Sequence, residues 1–195
     1  MRKDYKIKEI PFTPLSALYP QKESFGYKES YECVFARWGR QITLEDVKKA
    51  LIKVLDGSMD PWWMKVLEKI RDKAALLIGS KEFYTKENQM KSGGPDSIKQ
   101  GDKFGGFMVF QVLENEVIMG LDDKNMDFRL SVLLDKNTDK AGIYRIIEST
   151  TVKYNTWFGK LEFFFIRPFH RLIIIPMFFN QLMVQDALAD IKDKD

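Results

Sequence analysis

The stretch from Asn155 to Asp190 constrains this chain more than any other. At about 100° per residue, Leu161, Phe164, Phe165, Pro168, Leu172, Ile175, Pro176, Phe179, Leu182 and Met183 fall on one side. Lys160, Arg167, Arg171, Gln181 and Gln185 fall on the other. The spacing predicts one long amphipathic helix whose stripe needs a sheet or groove to lie in. Buried fully, ten such side chains give a gross apolar term of about 15–30 kcal/mol, an upper bound. Pro168 and Pro176 each remove a backbone donor, which predicts a bend or a break near Phe164 and Leu172. Phe163, Ile174 and Phe178 project onto the polar side, so the middle of the helix is apolar nearly all round. That excess calls for a cover: the chain's own N-terminal residues, a second copy in a homodimer, or a membrane surface.

Upstream, the pattern supplies a receiver. Pro11, Pro14 and Pro20 mark residues 1–29 as an extended arm laid over the body. Ser30 to Trp38 alternates as a first strand. Thr43, with Asp46 three residues on, opens a short helix through Val47, Ala50, Leu51 and Val54 to Gly57. Asp60, Pro61 and Gly79 punctuate a second helix, and a Gly, Ser and Lys-rich stretch runs from Lys81 to Lys103. The period then becomes two. Phe104 to Leu113, Glu116 to Leu121, Asp127 to Leu134 and Gly142 to Val152 read as strands joined closely enough for an antiparallel meander. In the third, Met126, Phe128, Leu130 and Val132 alternate with Asp127, Arg129 and Ser131, an apolar face against a charged one. The whole, residues 1–195, reads as one α+β domain: strand, two short helices, strands, long helix.

Composition excludes several classes. A formal net charge of +3, with lysines and carboxylates interspersed, argues against nucleic acid. Between charged residues the last helix offers only Leu172 to Phe179, too short to span a bilayer. The single cysteine, Cys33, and the absence of a signal-like N-terminus point to a cytoplasmic protein. Gly93-Gly94 and Gly105-Gly106 lack a phosphate-loop or dinucleotide context, and no His/Cys set has metal-ligand spacing, so neither cofactor nor metal is expected.

This order resembles the helix-grip fold of the Bet v 1 and START-like superfamily, a curved antiparallel sheet wrapped around a long C-terminal helix with two shorter helices after the first strand. More locally, residues 120–132 (GLDDKNMDFRLSV), 151–159 (TVKYNTWFG) and 167–171 (RPFHR) are similar to an uncharacterised bacterial family. In that family the domain stands alone or behind a short-chain-dehydrogenase-like domain. The resemblance implies a pocket between sheet and helix for a small apolar or amphipathic ligand, and no established activity or catalytic residue. It spans about Glu29 to Leu188, with no dinucleotide fingerprint upstream.

His170, the one histidine, lies at the edge of the stripe between Arg167 and Arg171. It is either a structural hydrogen-bonding group or an anchor or general base. Asp127 and Arg129 share a strand face; with Glu148 reaching Arg129 they make a surface ion-pair ladder or, if that face is concave, a polar pocket floor. Phe128, Trp157 and Phe165 are candidate pocket linings as well as core. Three functions follow: a small-molecule binder with Arg129 and His170 as anchors; an enzyme of cyclase, dehydratase or hydrolase type; or a dimeric or membrane-peripheral module using Phe163, Ile174 and Phe178.

Overall fold

The structure, a computed structural model, describes residues 5–55, 97–104, 107–136 and 142–184. The second predicted helix, Asp60 to Gly79, and most of the Lys81 to Lys103 stretch lie outside the described residues, as does the helix beyond Val184. The strands are β1 (Tyr5–Ile10), β2 (Tyr27–Ala36), β3 (Lys103–Phe104), β4 (Phe107–Val112), β5 (Glu116–Asp122), β6 (Met126–Asp135) and β7 (Ile143–Tyr154). They form one antiparallel sheet in the order β1-β2-β7-β6-β5-β4-β3. From β3 to β7 this is the meander that the short connections predict. The first predicted strand returns to pair with the last, Ser30 opposite Ser149.

Helix α1 (Leu44–Leu55) follows β2. Thr43 and Asp46 serve it as predicted: Asp46 Oδ2 accepts both the Thr43 N–H and its hydroxyl, each at 2.9 Å. Val47, Ala50 and Leu51 are fully buried.

Residues 5–29 are more structured than an arm. Tyr5–Ile10 pairs along β2 as the edge strand, Ile7 opposite Cys33, and Tyr19–Ser24 is a 3-10 helix. Between them the chain crosses the sheet face turned away from the C-terminal helix. Ser16 Oγ donates to Glu116 Oε1 at 2.6 Å and the Ala17 N–H to Glu116 Oε2 at 2.9 Å. This cover explains β6, where the charged face reaches only Asp127 and Arg129; Ser131, Leu133 and Asp135 on the same side are buried.

The C-terminal segment is helical from Trp157 to Val184 but not uniformly so. Helix α2 (Trp157–Phe169) passes into a π turn (His170–Ile174) and then α3 (Ile175–Val184). The Ile175 N–H bonds the carbonyl of His170, five residues back. The widened turn falls directly before Pro176, whose ring an α turn would drive against the Leu172 carbonyl. The predicted disturbance is therefore an inserted residue rather than a break.

That insertion rotates the buried face by about 100°, and it corrects the predicted stripe. Leu161, Phe164, Phe165 and Leu172 are 42%, 67%, 63% and 77% exposed, and Pro168 and Pro176 also face outward. Phe163 and Phe178, expected on the polar side, are buried; Ile174 is partly buried. The inner face runs Gly159, Phe163, Ile166 and His170, then steps five to Ile175, Phe179 and Leu182. Gly159 is required at its start, since a Cβ there would lie 2.1 Å from the Asn125 carbonyl oxygen. The main core joins α3 and α1 to the sheet through Cys33, Phe35, Leu51, Met119, Val132, Ile146, Phe179 and Leu182. Among the described residues no helix is long and apolar enough to cross a membrane.

Candidate functional site

Alternation along β2 puts Tyr27, Glu29 and Tyr31 on the face that meets the C-terminal helix, and register sets Glu148 opposite Tyr31 and Thr150 opposite Glu29. The π turn brings His170 inward above them. His170 Nδ1 lies 2.7 Å from Glu29 Oε1, and both residues are buried. Glu29 Oε2 accepts the hydroxyls of Tyr27 (2.6 Å) and Tyr31 (3.2 Å). Arg171 Nε donates to the Tyr31 oxygen at 3.1 Å, and its guanidinium pairs with Glu9 of β1. Phe128 packs edge-on to His170, ring centroids 6.4 Å apart.

The carboxyls of this cluster diverge in protonation. Burial pushes Glu29 upward, but the contacts from His170, Tyr27 and Tyr31 outweigh it and hold the group below its ordinary range. Glu148 is completely buried and is pushed up to about 8 by that burial and, in lesser part, by the charge of Glu29; the Thr150 hydrogen bond opposes the rise. At neutral pH it is a carboxylic acid. Thr150 Oγ1 donates to its Oε1 at 2.6 Å, while Oε2 has no hydrogen-bond partner. Burial likewise drives the Tyr31 phenol up to about 12, so both tyrosines act here as donors. A proton acceptor and a proton donor thus share one buried face, with the partly exposed Arg171 at its margin. Among the described residues no group of His, Cys, Asp and Glu is arranged to hold a metal.

The predicted site residues divide. His170 meets Phe128, and Glu148 lies on the same sheet face, opposite Tyr31 and Val132. Arg129 and Asp127 do not join them: Arg129 is opposite Thr151 and Glu148 opposite Val132, so the two side chains leave the sheet on opposite faces and the predicted Asp127–Arg129–Glu148 ladder does not form. Arg129 pairs instead with Asp122 at 2.6 Å over the Phe110 ring, and Asp127 Oδ1 accepts from Asn155 Nδ2 at 2.8 Å. Trp157, 77% exposed, and Phe165 stand on the outer side of α2 and line nothing inside. Arg167 and Arg171 do not leave His170 among cations, because Glu29 is its nearest charged neighbour. Glu29, Tyr27 and Tyr31 were legible: starting the strand at Tyr27 rather than Ser30 sets a carboxylate between two tyrosines on the core face.

A family model described as "Protein of unknown function (DUF2867)" matches residues 23–177, which include every residue of the cluster except Glu9. No curated protein and no solved structure matches the chain.

Proposed function

The chain belongs to this family of unknown function, and from that premise we propose, on the chemistry of the site, that it binds a small amphipathic molecule between sheet and C-terminal helix. The polar end of the ligand meets Glu148, Glu29 and His170, and its apolar body lies along the neighbouring core. One observation carries the reading: the buried Glu148 carboxyl, with an oxygen lacking any partner. Such a group costs about 1–3 kcal/mol when left unsatisfied, and as a neutral acid it suits a ligand carbonyl or hydroxyl. The architecture supports a helix-grip assignment: the meander closes back onto β2, and the C-terminal helix packs on the face that holds the cluster. Native mass spectrometry of gently purified protein, compared with its denatured mass, tests this. A retained small molecule that Glu148→Leu no longer holds is the expected result; a bare chain that also takes up no fatty acid, sterol or aromatic polyketide probe refutes it.

A second reading has its own observation, an anionic Glu29 and a protonated Glu148 on one sheet face, with His170 against Glu29. Groups whose environments separate their protonation this way serve as base and acid. Such a pair suits the proton transfers of an enzyme of cyclase, dehydratase or hydrolase type. His170→Gln separates the two: binding survives under the first reading, and turnover falls about 100-fold or more under the second.

A further inference from the structure

We propose that the outer face of α2 and the π turn docks this protein on an anionic membrane surface. The π turn that carries His170 inward leaves Trp157, Leu161, Phe164, Phe165, Phe169 and Leu172 outward, between 42% and 77% exposed. At 1.5 Å per residue this stripe is about 22 Å long, and an open groove of about 420 Å³ lies in its C-terminal half between Phe164, Phe165, Pro168 and Phe169, edged by Arg167 and Arg171. Continuous apolar exposure of this kind marks a contact surface.

Its chemistry selects the occupant. Aromatic side chains dominate the stripe, and these favour the boundary between headgroups and acyl chains. Of the charged residues flanking it, Lys160 and Arg167 are exposed cations, while Arg171 is partly exposed and paired with Glu9 of β1. Glu162 is the one acidic residue from Trp157 to Val184, and it is partly buried. A second copy meeting this face would set Lys160 and Arg167 against their own equivalents, whereas anionic headgroups complement them. The Arg167 guanidinium lies over the Tyr27 ring, 5.0 Å from its centroid, which fixes an exposed cation at the edge of the stripe.

The test is co-sedimentation with phosphatidylcholine vesicles, with and without phosphatidylserine, alongside sedimentation velocity in buffer. Full-length protein is expected to bind the anionic vesicles, to weaken with added salt, and to shift its Trp157 emission to the blue, a shift absent in Trp157→Phe. Phe164→Glu with Phe165→Glu, both at exposed positions, is expected to lower binding tenfold or more while leaving the melting temperature within error. A salt-insensitive or absent association, or one indifferent to that double variant, overturns the proposal. So does a concentration-dependent dimer abolished by the same variant, which gives the face to a second copy.

Discussion

Glu148 and Glu29 lie on the same face of the sheet and respond oppositely to pH. The folded state keeps the Glu148 proton up to about 8, whereas the unfolded chain releases it near 4.5. Between those values the native state binds more protons, so stability falls as pH rises, by up to about 1.4 kcal/mol per unit. Glu29 has the reverse sign: its lowered value contributes stability above 4.5 that disappears on acidification. Urea titrations from pH 5 to 8 should show declining stability in the wild type and a flattened profile in Glu148→Gln. Equal slopes in both proteins would mean that Glu148 is ionised in the fold. The chemistry of His170 was visible in the sequence as a lone titratable group, but its partner was not, because Glu29 is 141 positions away in the chain and only strand register brings it near.

At the scale of the element, the π turn decides what each face of the C-terminal helix does. A projection at constant angle assigns Phe164 to the core and Phe163 to solvent; one inserted residue reverses them. Phe163 packs on Tyr27, ring centroids 4.8 Å apart, within a small cluster with Met126 and Val152. Phe163→Ala should therefore cost about 3–5 kcal/mol. Phe164→Ala, at an exposed site, should stay within about 0.5 kcal/mol, both read by chemical denaturation. Comparable losses at the two positions would restore the uniform helix. The helix itself was legible from its apolar period, and Pro176 marked a disturbance. Whether a proline bends, breaks or widens a helix depends on the surface beneath, which here must accept His170.

Across the described residues, the C-terminal helix with α1 covers one face of the sheet, and the N-terminal crossing covers the other around Glu116 and Ser131. Glu116 fastens the crossing: it accepts from Ser16, Ala17 and Ser131 while 2% exposed. Ser30 and Ser149 continue the same buried polar row with their hydroxyls 2.7 Å apart. Glu116→Ala removes the acceptor shared by three donors, leaving the Ala17 N–H stranded and the two serine hydroxyls only each other, and a loss of about 3 kcal/mol, with faster amide exchange at Ala17, is expected. A loss below about 1 kcal/mol would mean that the crossing is held by its apolar contacts, Leu18 above all. The arm was legible as prolines in an extended stretch; its docking was not, since Ser16 and Glu116 carry no signal of mutual contact across 100 positions.

Local alternation, capping residues and short connections determined the meander, α1 and the existence of a long terminal helix, because each depends on neighbours a few positions apart. Tertiary structure alone decided which face of β6 and β7 is inward, which helical phase is buried, that Glu29 and Glu148 share one face and that His170 meets Glu29. Those outcomes rest on register between distant strands and on one extra residue in a helical turn, and a one-residue change in either exchanges inside for outside.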